Sequence, residues 1–202
     1  MTMKLKYSPN SPYVRKIVVL GLELGLDSQI VRETLTLSPY EPNPDVTALN
    51  PLGKIPVLQA DDGSALFDST VACEYLSVLA GDTTWFPAKG PARWHALRCN
   101  AVANGMLEAA QLVRFEQSRP EPYRYDKWSD AQLGKVLRGF DYLEKAPPAD
   151  ADMGAVAVAC AIGWLDFRFP DLAWRERAPT LSAWFDRFSQ RPSFSTTRHP
   201  GQ

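Results

Sequence analysis

The chain has 202 residues, 45% of them hydrophobic and 22% charged, a makeup that suits a soluble globular protein able to bury one large core or two small ones. Its 22 Lys and Arg balance 23 Asp and Glu, so no field of one sign is available to hold a nucleic acid or an anionic membrane surface. Neither is expected as a partner.

The N-terminal residues hold no apolar run of signal-peptide length, and Ile17–Leu20 is soon interrupted by Glu23, so no membrane span is expected there. Cys73, Cys99 and Cys160 are widely spaced and odd in number, which argues against a disulfide framework or a zinc site. Each sits among apolar residues and reads as a small buried hydrophobe, at home in a reducing cytoplasm. With only His95 and His199, a histidine-based metal site or triad is not expected, and His199 falls in a Pro/Gly tail read as frayed.

In chain order, Lys4–Tyr7 reads as a strand ending at the turn cluster Ser8-Pro9-Asn10-Ser11-Pro12. Apolar residues at helical spacing run from Tyr13 to Leu24, with Gly25 as the stop. Gln29–Leu35 suits a strand, and a proline-punctuated stretch leads to a short helical piece at Val46–Leu49. Ile55–Gln59 is a strand, Asp61–Ser64 a hairpin turn and Ala65–Phe67 the return strand. Asp68-Ser69 opens a helix through Leu79, capped by Gly81. The order β-α-β-α-β-β-α is that of a thioredoxin-like fold.

Beyond Trp85 strand signals vanish. Helices are predicted at Ala92–Ser118, Trp128–Ala146, Asp152–Phe169 and Pro179–Gln190, each ended by prolines or an Arg-Pro pair. The reading is α/β plus all-α: a thioredoxin-like N-terminal domain at residues 1–82, a linker at 83–90 and a helical-bundle C-terminal domain at 91–202.

Three segments carry chemistry: Ser8-Pro9-Asn10-Ser11-Pro12-Tyr13-Val14-Arg15-Lys16, Asn50-Pro51-Leu52-Gly53-Lys54-Ile55-Pro56-Val57-Leu58, and Phe67-Asp68-Ser69. Taken alone, each has a plain structural reading. Ser11 is an N-cap ahead of a proline, Pro56 stands at the first position of an edge strand, Asp68-Ser69 is a cap pair, and Lys54 is a solvated lysine. In this order and spacing the three resemble the glutathione S-transferase superfamily, and the apolar helix at Val156–Trp164 resembles that family's buried core helix, so the likeness spans the chain.

The resemblance implies glutathione as cosubstrate, no metal, and a cytoplasmic homodimer engaged in detoxification. Ser11 is then the catalytic residue, its hydroxyl donating to the glutathione sulfur at a helix head, where the dipole favours negative charge. An ordinary thiol has a pKa of about 8.5, and lowering it by about two units takes roughly 2.7 kcal/mol of thiolate stabilisation. A charge-assisted hydrogen bond plus a helix terminus is of that size. Ser8 is the rival serine. Where glutaredoxins carry Cys-Pro-Tyr-Cys this chain has Ser11-Pro12-Tyr13-Val14, so thiol exchange by the protein's own cysteine is not expected.

By the same resemblance the Ile55–Pro56 bond is cis, with the Ile55 backbone pairing to the cysteinyl residue of glutathione. Asp68 and Ser69 receive its γ-glutamyl end, and Lys54 its glycyl carboxylate. Asp152 reads as the N-cap of the buried helix, with Ala155 where a capping box has a side-chain acceptor. In such folds a small electrophile binds beside the first long C-terminal helix, which directs attention to Tyr13, Met106, Gln111, Arg114 and Phe115, although an apolar helical stripe is mostly core. Trp164, Phe167 and Phe169 read as core. Two other readings stay open: a glutathione-binding scaffold without turnover, and a glutathione-dependent isomerase in which Arg114 meets a substrate carboxylate.

Overall fold

The computed structural model describes residues 2–200. The chain divides into two compact units, Met1–Ala88 together with Pro192–Gln202, and Lys89–Arg191. The tail from Pro192, assigned by pattern to the helical domain, thus groups with the first unit.

In the first unit β1 (Met3–Tyr7) alternates Met3 and Leu5, both fully buried, with outward polar residues, the pattern of a strand covered on one face. The helix α1 (Pro12–Glu23) follows and returns the chain to β2 (Ile30–Thr34), which pairs with β1 in parallel. A single turn of helix, α2 (Pro44–Thr47), precedes β3 (Val57–Gln59), antiparallel to β1, and β4 (Ala65–Leu66) closes a hairpin with β3. The sheet order is β2-β1-β3-β4. The hairpin turn is held by Asp62, whose carboxylate accepts the Ser64 N–H at 2.9 Å, and by Gly63 at φ +86°. Then α3 (Ser69–Leu79) packs beside α1. The strand expected from Ile55 begins only at Val57, because Ile55 and Pro56 belong to the preceding bend.

The second unit holds α4 (Gly90–Gln117), α5 (Asp126–Lys145), α6 (Met153–Arg168), α7 (Trp174–Arg177) and α8 (Pro179–Phe188). The helix α6 is apolar around its whole circumference and buries every residue from Met153 to Leu165, so it forms the unit's centre. Small residues let it approach α4: a Cβ on Gly154 would stand 2.8 Å from the Ala96 carbonyl oxygen and from Cys99 Cβ. Phe140 and Trp174 stack at 4.9 Å beside this core, and the Glu144 carboxylate on α5 caps α8 by accepting the Thr180 and Leu181 N–H groups.

The tail adds α9 (Pro192–Ser195) to the first unit, and Phe194 is buried beneath the Arg15 guanidinium at 3.8 Å. Neither α7 nor α9 was expected, since a single turn leaves no periodicity to read. The frayed tail is a correction. His199 is buried, with Nδ1 3.0 Å from the Pro9 carbonyl oxygen, because the tail lies against the turn after β1. Trp164 is core as read, whereas Phe167 and Phe169 are only half-buried near the end of α6. All three cysteines are buried, and among the described residues none is in a disulfide.

Candidate functional site

Three chain reversals in the first unit carry the expected site residues. At the first, Ser11 adopts extended backbone angles (φ −90°, ψ 118°) and caps α1, its Oγ accepting the Val14 N–H at 3.3 Å. Pro12 follows at N1, where its missing N–H costs nothing. A serine oxygen that accepts from the helix keeps its own proton, so the half-buried hydroxyl retains a donor to spend on an anion. Ser8 lies one turn earlier and accepts the Ser11 N–H through its carbonyl at 3.1 Å. Both serines line a cavity of about 80 Å³ with Tyr7, Arg15, Arg32 and Arg198. Position separates the two: only Ser11 stands at the helix head, where unpaired N–H groups add to the positive end of the dipole.

At the second reversal the Ile55–Pro56 peptide is cis, as the resemblance implied. Pro56 is buried, Ile55 half-buried and Lys54 exposed, and among the described residues the Lys54 ammonium meets no carboxylate. Asn50, quoted in the motif but given no role by sequence, shapes this loop. It is 3% exposed, its Nδ2 donates to the Lys54 carbonyl at 2.8 Å, and its Oδ1 accepts the Leu52 N–H at 3.0 Å. Gly53 turns at φ +63°, a region that favours glycine. The signal was available in Asn-Pro-x-Gly, whose Asn and Gly are turn residues for separate physical reasons.

At the third, Asp68 caps α3 with Oδ1 accepting the Thr70 N–H at 2.8 Å, following a cis Phe67–Asp68 peptide. Its carboxylate is exposed, while Ser69 beside it is 1% exposed and among the described residues its Oγ has no hydrogen-bond partner. A buried hydroxyl left unsatisfied costs about 1–3 kcal/mol. An acceptor brought to the head of α3 by a ligand would relieve that cost, which makes this the observation that best fits a bound carboxylate.

Of Tyr13, Met106, Gln111, Arg114 and Phe115, all but Tyr13 lie in the second unit. Met106 is buried core, Gln111 is half-buried, Arg114 is exposed and Phe115 is half exposed, on one long helix. Tyr13 belongs to the first unit, with the Lys16 ammonium 5.2 Å from its ring centre.

Residues 10–79 match the family profile described as "Glutathione S-transferase, N-terminal domain", and residues 126–187 that described as "Glutathione S-transferase, C-terminal domain". The "Uncharacterized GST-like protein YibF" of Escherichia coli K12 is 30% identical over 98% of this chain and 99% of its own length. A glutathione transferase family member from Pseudomonas fluorescens Pf-5, solved with bound glutathione, is 41% identical, covers 98% of this chain and 100% of its own, and superposes with a TM-score of 0.93. A second structure from the same organism, with bound S-(propanoic acid)-glutathione, is 40% identical at the same coverage with a TM-score of 0.89.

Proposed function

Since the chain belongs to the glutathione S-transferase family, we propose that it binds reduced glutathione, holds the sulfur as a thiolate at Ser11, and delivers it to a small hydrophobic electrophile or a peroxide. The observation that carries this reading is the Ser11 hydroxyl, half-buried at the head of α1, its oxygen occupied by Val14 N–H and its proton left to give. The unpartnered Ser69 hydroxyl supports a carboxylate at the head of α3, and the glutathione bound in the Pseudomonas relative supports the tripeptide as its source.

In this reading Ser69 and the N–H groups of α3 receive the γ-glutamyl carboxylate, and the exposed Asp68 carboxylate faces its α-ammonium. The Ile55 main chain pairs with the cysteinyl residue, and Lys54 meets the glycyl carboxylate. The thiol proton passes to water. With an activated chloroarene the thiolate forms a C–S bond, and chloride departs with the electron pair of the broken C–Cl bond. With a peroxide the thiolate attacks one oxygen, the O–O bond breaks, and the other oxygen leaves with the electron pair and takes a proton from water. Glutathione sulfenic acid results, and a second glutathione converts it to the disulfide and water. Holding the two reactants side by side adds to the rate. We read the protein as a cytoplasmic homodimer with a detoxifying role. Exposed Val71 and Val78, which share one face of α3, support a subunit contact.

The test is turnover. Conjugation of chlorodinitrobenzene is expected in the wild type, falling at least about tenfold in Ser11→Ala, equivalent to about 1.4 kcal/mol of lost thiolate stabilisation. An unchanged rate contradicts the assignment. Glutathione binding without turnover across electrophiles and peroxides would make the chain a scaffold instead.

A further inference from the structure

The chain carries 22 cationic side chains against 23 anionic ones, yet the cavity of about 80 Å³ in the first unit is lined by three guanidiniums and no carboxylate. The three come from separate places, Arg15 on α1, Arg32 on β2 and Arg198 in the tail, and the common space between them brings them together. Arg15 is 5% exposed and held in place: its Nη2 donates to the Phe194 carbonyl oxygen at 2.9 Å and its Nε to Thr197 Oγ1 at 3.4 Å. Neither acceptor carries charge. Arg32 is paired with Asp27, which stands outside the lining. Arg198 has no ion-pair or hydrogen-bond partner among the described residues, and the contact of its neighbour His199 with Pro9 fixes the tail that presents it. Tyr7, Ser8 and Ser11 complete the polar wall with hydroxyls that donate no hydrogen bond among the described residues. The walls therefore offer donors and positive charge. Like charges gathered in one small space repel, and no anion of the protein's own stands in the walls to offset them.

We propose that this cavity binds a small tetrahedral oxyanion of the phosphate kind, free or as the end of a phosphate monoester. Guanidinium forks match pairs of phosphate oxygens, and the hydroxyls replace the water that such an ion gives up. A single water needs about 10–15 Å³ of space, so this cavity admits one such ion but not a tripeptide. Of the residues proposed to hold glutathione only Ser11 lines it; Lys54, Ile55, Pro56, Asp68 and Ser69 do not. The site lies wholly within the first unit and does not depend on the glutathione reading.

Isothermal titration of the full chain in low-salt, phosphate-free buffer tests it, with inorganic phosphate and glycerol 3-phosphate as probes and acetate as control. A phosphate is expected to bind with a Kd of about 1 mM or tighter, and the tighter of the two probes names the source, free ion or ester. Binding should weaken at least about fivefold in Arg198→Met and in Arg32→Met, and stay unchanged in Arg187→Met, an exposed arginine of the helical unit. Both cavity arginines are exposed, so melting temperatures near wild type separate a lost site from a lost fold. Saturating S-methylglutathione, whose sulfur cannot ionise, should leave the phosphate affinity as it was. Acetate binding as tightly as phosphate, undiminished binding in either cavity variant, displacement by S-methylglutathione, or no heat from either phosphate up to about 10 mM would each overturn the proposal.

Discussion

At the head of α1 a half-buried serine accepts the Val14 N–H at 3.3 Å, and at the head of α6 a carboxylate on Asp152, only 4% exposed, accepts the Ala155 N–H at 2.8 Å. Both are N-caps and both satisfy an orphan donor. They differ in what is left over. Ser11 keeps a proton to donate and faces a cavity, whereas an ionised Asp152 only accepts and is packed into the core. The thiol beside each head follows suit. Burial, reinforced by the Asp152 charge, pushes Cys99 up to about 11 and keeps it inert, while the proposed role of Ser11 is to hold a visiting thiol ionised. A cap therefore marks a site only when it retains a donor and room for a guest.

The comparison is broken most violently at the residue after the second cap but one. Gly154→Val places a branched side chain where the Ala96 carbonyl and Cys99 Cβ already lie 2.8 Å from a single carbon. A loss of about 3 kcal/mol is expected, at the upper end for overpacking, read as a lowered urea midpoint. Asp152→Ala removes the cap itself and should cost about 1–2 kcal/mol, with activity per folded molecule unchanged. Ser11→Ala should cost less than about 1 kcal/mol of stability while sharply reducing conjugation, the opposite balance.

The smallest effect is a pH slope. Burial raises the Asp152 carboxyl above its ordinary 3.8, against the opposing Ala155 N–H and the charge of His95. The native state then keeps this proton to higher pH than the unfolded chain, so its contribution to stability falls as pH rises from about 3.8 through the folded value. Asp152→Asn keeps an oxygen cap and abolishes that slope, so its stability relative to wild type should improve from pH 4 to pH 7. Melting curves across that range check the sign.

What could be read from sequence was local. Ser11-Pro12, Asp68-Ser69 and Asp152 announced helix heads because capping and proline chemistry act within one turn, and all three stand as caps. Gly25 and Gly81, at φ +69° and +66°, announced two helix ends in the same way. What stayed hidden was long-range. The His199 ring reaches Pro9 across 190 residues, and Arg15 is held by Phe194 and Thr197 of the tail, contacts that no pattern near either residue encodes. Asn50 lay between. Its turn chemistry was visible, but its burial and its hold on the Lys54 carbonyl needed the fold.

The central assertion, that the α1 head keeps a tripeptide sulfur anionic, is tested most directly by titrating the thiol of bound glutathione by ultraviolet difference absorbance in wild type and Ser11→Ala. The account predicts a bound thiol near pH 6.5, about two units below the free value of about 8.5, rising by about one unit or more when the hydroxyl is removed. Identical titration curves for the two proteins would contradict it.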